Sequence, residues 1–326
     1  MSVASDSIPI IETTDVTKVF HAGPARPGRP RPLLRAVDGV TLAIRRGETL
    51  ALVGETGSGK TTFGRLLLGL YRPTSGEIRY RGTSILDHRS DAARLVRREV
   101  QGVFQDPYSS LNPTMTVGQA LAEVLQVHHV VPRQDRADRV AELLSTVGLS
   151  PDQADRKPVA FSGGQRQRVG IARALAVEPE MIVADEPLSA LDVSIQAQIL
   201  NLIVELQQEL GLAYLFISHN LAVVEHISHW VAVMYLGRIV EYTDTRTLFI
   251  TPLHPYTESL LAAVPVPDPS VKRERRVLQG DVPSPIDPPS GCHFHTRCPY
   301  AAERCKVEQP ALRQVRPGQL VACHLR

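Results

Sequence analysis

Gly54-Glu55-Thr56-Gly57-Ser58-Gly59-Lys60-Thr61-Thr62 is the stretch whose reading decides the fold. Leu50-Ala51-Leu52-Val53 precedes it and Phe63-Gly64-Arg65-Leu66-Leu67-Leu68 follows. That order predicts a buried strand, a glycine-rich turn and a helix, and it satisfies G-x-x-x-x-G-K-S/T, the phosphate-binding loop. The glycines let consecutive N–H groups converge on one anion. The helix starting near Lys60 brings its positive end to the same point. Lys60 is expected to reach the β- and γ-phosphates and the Thr61 hydroxyl to hold Mg²⁺.

Working outward, Val16 to Phe20 and Val37 to Ile44 have strand patterns on either side of a Pro/Arg loop, His21 to Arg35. Prolines at that density exclude helix and central strand. Ile78 to Tyr80 and Val103 to Gln105 read as further strands, and the pattern turns helical from Pro107 to about Val177. Val117 to Val127 and Arg133 to Val147 are helices by their apolar periodicity. Strand and helix then alternate: Met181 to Ala184, Val193 to Leu210, Ala213 to Ile217, a helix from Leu221, and a hairpin Val231 to Tyr242 turning at Gly237. Ile195, Ile199, Leu202, Ile203, Leu206 and Leu210 form one stripe, with Gly211 where a C-terminal cap belongs. Such alternation predicts a largely parallel sheet covered by helices. The composition shifts after Ala263, dividing residues 10–263, with a helical subdomain at about 107–177, from an extension at 264–326.

Two further motifs narrow the chemistry. Met181 to Ala184 runs into the adjacent acids Asp185 and Glu186; Asp185 fits the acid that holds a Mg²⁺ shell, leaving Glu186 to orient and polarise a water. Phe161-Ser162-Gly163-Gly164-Gln165 places a capping box, Ser162 with Gln165, at the start of a helix. Its bared backbone is a second anion site, which points to one nucleotide sandwiched between two chains.

From Val16 to Tyr242 the chain resembles an ATP-binding cassette (ABC) ATPase. Phe161 to Gln165 resembles the family's LSGGQ signature, with Phe in place of Leu. Gln105 resembles the Q-loop glutamine that completes the Mg²⁺ shell, Ser189-Ala190-Leu191-Asp192 the D-loop, with Asp192 at the dimer interface, and His219 the switch histidine that contacts the γ-phosphate. Phe20 sits where the family stacks an aromatic on adenine. The resemblance implies a P-loop fold of ABC type: a mostly parallel core, an antiparallel β part and an inserted helical subdomain. It also implies two ATP molecules clamped between head-to-tail cassettes, each hydrolysed by in-line water attack.

Outside the shared motifs, Gln105-Asp106-Pro107-Tyr108-Ser109-Ser110-Leu111-Asn112-Pro113 and Asp185 to Ser194 resemble the ATP-binding subunits of oligopeptide and dipeptide importers, F-type partner. His254-Pro255-Tyr256-Thr257 with Leu260 to Pro265 resembles them too. The resemblance implies a second, non-identical D-type ATPase subunit, two transmembrane permease subunits and an extracytoplasmic peptide-binding protein. It places the chain peripherally on the cytoplasmic face of the membrane. In this reading Tyr108 and Leu111 receive a coupling helix from the membrane subunit. Alternatives are an importer for nickel or another small solute, a non-transport ABC ATPase acting on ribosomes or DNA, and a regulatory subunit with little turnover.

The four cysteines, Cys292, Cys298, Cys305 and Cys323, are spaced C-x5-C-x6-C-x17-C. Disulfides do not suit a reducing compartment. Spacing alone leaves Zn²⁺ and iron equal. The family's C-terminal extension is linked with a 4Fe–4S cluster, and that resemblance selects iron, with Zn²⁺ as the alternative. At 326 residues with 43% hydrophobic and 21% charged content, the chain can bury a full core. Thirty-six Lys and Arg against 34 Asp and Glu leave +2, which gives no argument for a nucleic-acid surface. No signal peptide is expected at the N-terminus, and no apolar run approaches the ~18 residues of a membrane span.

Overall fold

The structure is a computed structural model and describes residues 8–23, 31–87, 89–106, 111–264 and 280–326. Two sheets carry it. The smaller is antiparallel, in the order β2-β1-β4-β5, from β1 (Ile11–His21), β2 (Leu33–Ile44), β4 (Ser75–Tyr80) and β5 (Thr83–Ser84). The larger has the order β11-β12-β10-β9-β3-β8-β7-β6. Its parallel part is β9 (Trp230–Tyr235), β3 (Thr49–Val53), β8 (Ala213–Ser218), β7 (Met181–Asp185) and β6 (Val100–Val103). Antiparallel pairing adds β10 (Arg238–Asp244), β12 (Gln319–Val321) and β11 (Arg313–Arg316) at one edge.

Successive side chains of a strand face opposite ways, and here both faces are buried, so the parallel strands read as continuous apolar runs. Leu50 and Leu52 of β3 pack with Phe63, Leu66 and Leu67 of α1 (Lys60–Leu67), beneath the antiparallel sheet. Ala51 and Val53 face the other way, toward Tyr235, Tyr256 and Phe294. In β8, Leu215 and Ile217 join the first group, while Tyr214 and Phe216 join the core of the helical subdomain. A Cβ on Gly64 would lie 2.9 Å from Ile217 Cδ1 and 3.0 Å from Val183 Cγ1, so a larger residue there would have to push these two buried side chains aside. The hairpin β9–β10 turns at Gly237 as expected, and its Trp230 ring stacks on Tyr242 at 5.4 Å.

The remaining helices are α2 (Asp91–Glu99), α3 (Val117–Val127), α4 (Arg136–Thr146), α5 (Gly163–Leu175), α6 (Val193–Leu210), α7 (Leu221–Ile227), α8 (Thr245–Ile250), α9 (Pro255–Ala262) and α10 (Glu303–Val307). Helices α3 and α6 have the expected limits, and Gly211 caps α6 at φ 63°. Along α6, Ile199, Leu202, Ile203 and Leu206 are buried, but Leu210 is half exposed because the stripe runs past the edge of the core. Strands β1 and β2 are longer than their sequence patterns because backbone pairing carries them through exposed polar residues, from Ile11↔Ile44 to His21↔Leu33. Strand β6 ends at Val103, so Gln105 lies two residues beyond it and not at its end. Within the His21–Arg35 loop, residues 24–30 lie outside the described residues, as do 107–110 with Tyr108. Leu111, expected at a docking surface, is instead buried with Val117 and Leu121 in the helical core.

Candidate functional site

Strands β3, β8 and β7 are parallel neighbours, so their carboxyl ends open on one edge of the sheet. The phosphate loop follows β3, His219 follows β8, and Asp185 and Glu186 close β7. Crevices of this kind at strand ends are where open α/β sheets bind ligands. The loop needs glycine where it turns into α1: Gly59 has φ 107°, and a Cβ there would come within 2.0 Å of the Ala36 carbonyl. Gly54, Ser58 and Lys60 are buried, Glu55, Gly59, Thr61 and Thr62 partly so, and Thr56 and Gly57 exposed.

Lys60 Nζ donates to the Gly54 carbonyl at 2.8 Å and to the Glu55 carbonyl at 2.9 Å. Burial pulls its pKa below the usual lysine range, against the opposing pull of Glu186, Asp185 and Glu55. The Thr61 hydroxyl donates to Asp185 Oδ1 at 3.0 Å. Burial raises the Asp185 carboxyl, with Thr61 partly offsetting it. A hydroxyl and a carboxylate in contact, in a site where burial penalises the free anion, suit a hard divalent cation such as Mg²⁺.

Glu186 has φ 48°, a conformation that costs a non-glycine residue roughly 1–2 kcal/mol. Its N–H donates to the Ile217 carbonyl at 3.0 Å, which fixes the turn out of β7. Its carboxylate Oε2 stands 3.4 Å from His219 Nδ1. A cleft of about 90 Å³ lies between Glu186, Ser189, Ser218 and His219. At roughly 30 Å³ each, a few waters fit.

The capping box opens α5 as read from the sequence. Gln165 N–H donates to Ser162 Oγ at 3.3 Å, and Ser162 N–H to Gln165 Oε1 at 3.0 Å. A Cβ on Gly164 would meet Ile195 Cγ2 at 2.4 Å, and one on Gly163 would meet Leu191 at 3.3 Å, so this turn packs on the start of α6. Asp192, at the N-cap of α6, is exposed and makes no capping bond. Among the described residues, no hydrogen bond or ion pair joins Ser162–Gln165 or Asp192 to Gly54–Thr62. Gln105 is exposed. Phe20 is half-buried, edge-on to Tyr71 at 5.5 Å, with Lys18 Nζ 5.0 Å from its ring centroid.

Sequence reading missed two groups that touch the phosphate loop. The Tyr256 hydroxyl accepts the Glu55 N–H at 2.8 Å. Arg297 forks onto the Glu55 carboxylate at 2.7 and 3.0 Å. Tyr256 belongs to the His254–Thr257 stretch, but nothing in that stretch tied it to the phosphate loop, and Arg297 lies in none of the stretches read from the sequence.

The metal reading of the cysteines is corrected. All four thiols are free, and among the described residues no group of three or more His, Cys, Asp or Glu side chains could hold a metal ion, so neither a 4Fe–4S cluster nor Zn²⁺ is supported. Burial raises the Cys292 thiol to about 11 and raises Cys298 and Cys323 as well. Packing and hydrogen bonds order the segment instead. Phe294 sits among Tyr235, Tyr256 and His254, and Cys292 N–H donates to the Cys305 carbonyl at 2.8 Å.

Fold and strand-end constellation together define a phosphate-loop ATPase of the ABC class. Residues 37–189 match the family model for the ABC transporter, and residues 240–305 match that for the oligopeptide/dipeptide transporter C-terminal region. The chain is 56% identical over 295 residues to a probable peptide ABC transporter ATP-binding protein, y4tS, of Sinorhizobium fredii, covering 90% of this chain and 84% of that protein. It is 51% identical over 328 residues to the oligopeptide transport ATP-binding protein AppF of Bacillus subtilis, covering 99% of each. Among solved structures it resembles cbiO1 of Clostridium perfringens, part of an ABC transporter complex, with TM-score 0.64 and 27% identity over 75% of this chain and 92% of that one. It also resembles the ATP-binding cassette MJ0796 bound to ADP and Pi, with TM-score 0.62 and 30% identity over 72% of this chain and 99% of that one. The chain belongs to the ATP-binding subunits of oligopeptide/dipeptide ABC transporters, and it is an ATPase.

Proposed function

We propose that this chain powers uptake of oligopeptides or dipeptides by hydrolysing ATP at a site completed by a second cassette. The observation that carries the site is the convergence of Lys60, the Thr61–Asp185 pair and the Glu186–His219 pair at three adjacent strand ends. The N–H groups of Gly54 to Thr62 cradle the phosphates, and Lys60 leaves the Gly54 and Glu55 carbonyls to meet the β- and γ-phosphates. Phe20 stacks on adenine. Thr61, Asp185 and Gln105 would hold Mg²⁺, which neutralises charge on the triphosphate. Glu186 orients a water in the cleft it shares with His219 and takes its proton as the water attacks, while His219 contacts the γ-phosphate. Ser162, Gly163, Gly164 and Gln165 of one chain face the nucleotide held by the other, and Asp192 organises the interface. The exposure of Ser162 and Asp192, with no hydrogen bond or ion pair to their own phosphate loop among the described residues, supports that arrangement.

The proposed assembly joins this chain to a non-identical cassette, two permease subunits and an external peptide-binding protein, on the cytoplasmic face of the membrane. Residues 10–263 are its nucleotide-binding unit and 264–326 its extension. Membrane crossing falls to the partners: among the described residues no helix is long and apolar enough to cross.

The test is Glu186→Gln. Phosphate release should fall by about 10²–10⁴-fold. ATP should still bind and drive a closed dimer on gel filtration. Undiminished release would remove Glu186 from its role.

A further inference from the structure

Glu55 is the first variable position of the phosphate loop, and both its side chain and its backbone are held from distant parts of the chain. Arg297 Nη1 donates to Oε2 at 2.7 Å and Nη2 to Oε1 at 3.0 Å, a bidentate fork that lets neither group rotate freely. The Arg297 side chain is 6% exposed and that of Glu55 26%, so the pair is largely screened from water. The Glu55 N–H is fixed separately by the buried Tyr256 hydroxyl. The third group on this residue is its carbonyl, which accepts from Lys60 Nζ. A continuous series of polar contacts therefore runs from the extension, through Glu55, to the lysine of the loop.

We propose that Arg297 is a positioning residue for the phosphate loop: by forking onto Glu55 it sets the Gly54–Glu55 turn in the shape that receives a triphosphate. The proposal rests on the reading of Gly54–Thr62 as the ATP site. Arg297 acts through Glu55, the residue on which it forks. Without the fork, the Glu55 carboxylate is left partly buried beside the loop without its bidentate partner, and the turn must be ordered at the moment of binding. Loss of ordering in advance appears in the dissociation constant for ATP, whereas a purely structural role would appear only in stability.

The test is a double-mutant cycle on the full chain, with ATP dissociation constants from calorimetric titration with Mg²⁺-ATP and urea midpoints measured alongside. Arg297→Met and Glu55→Gln should each weaken ATP binding about tenfold. The double variant should bind no more weakly than either single one, since both remove the same contact. An Arg297→Met dissociation constant within twofold of the parent's, or single effects that multiply in the double variant, overturns the proposal. Should Arg297→Met not fold, Arg297→Lys replaces it: an ammonium pairs but cannot fork. An unchanged constant there also overturns the proposal. Lys60→Ala separates the two readings. If Lys60→Ala abolishes binding and Arg297 variants do not weaken it, this proposal alone falls. If Lys60→Ala binds normally, the reading of the ATP site falls first.

Discussion

His254 shows how a single side chain can set the pH at which the fold holds. It is 1% exposed, and its Nδ1 accepts the Tyr256 N–H at 3.1 Å at the start of α9, a role open only to neutral imidazole. Burial, with Arg326 adding to it, lowers its pKa to about 3. The unfolded chain, with an ordinary histidine near 6.5, therefore binds more protons between those two values. Stability is then fully present above about pH 6.5 and is lost as the pH falls toward 3, at ~1.4 kcal/mol per unit. We expect the urea-derived stability to drop by about 2 kcal/mol from this residue between pH 6.5 and 5. His254→Asn, whose amide oxygen can still cap α9, should lose that part of the pH dependence. Equal slopes for parent and variant would contradict the assignment. Residues of this kind were only partly legible in the sequence. Asp185, Glu186 and His219 could be placed because each sits at or one residue past a strand end that its own neighbours announce, and Lys60 because the glycine-rich turn leads directly into its helix. Arg297 could not, because its partner lies 242 positions away and no local pattern encodes such a pairing.

At the scale of elements, periodicity located what packing depends on. Helices α3 and α6 carry enough apolar residues per turn to mark their limits. Helix α2 does not: only Ala92, Ala93 and Val96 are buried, and Ser90 starts it by accepting the Ala93 N–H at 3.2 Å. Strand β11, Arg-Gln-Val-Arg, is likewise too polar to stand out and exists through its pairing with β12. The cap of α5 was legible because a serine and a glutamine three residues apart satisfy each other's backbone. Ser162→Ala should cost about 1 kcal/mol in urea unfolding, and Ser162→Thr should recover most of it. If Ala and Thr behave alike, the hydroxyl is not the source of the stability.

At the scale of the molecule, the extension joins the parallel sheet that carries the nucleotide site. Strand β12 pairs with β10 at Glu241↔Val321 and Tyr242↔Leu320. Gln319 Nε2 donates to the buried Glu241 carboxylate at 3.0 Å, and Phe294, 1% exposed, fills the space between Tyr235 and Tyr256. A change of composition after Ala263 is the sequence signal for the proposed extension. Its docking place depends on partners far along the chain, so it was not legible. Phe294→Ala should destabilise the protein by about 3–5 kcal/mol and shift one cooperative transition. A biphasic melt with an unmoved main phase would show that the extension packs independently.

The stacked pair on the β9–β10 hairpin has a practical consequence. Trp230 is the chain's sole tryptophan, and Tyr242, against which its ring lies, is the residue that pairs with Leu320. Intrinsic indole emission thus reports on the seam where the C-terminal segment is attached. Detachment of that segment should change the colour or yield of the emission in unlabelled protein.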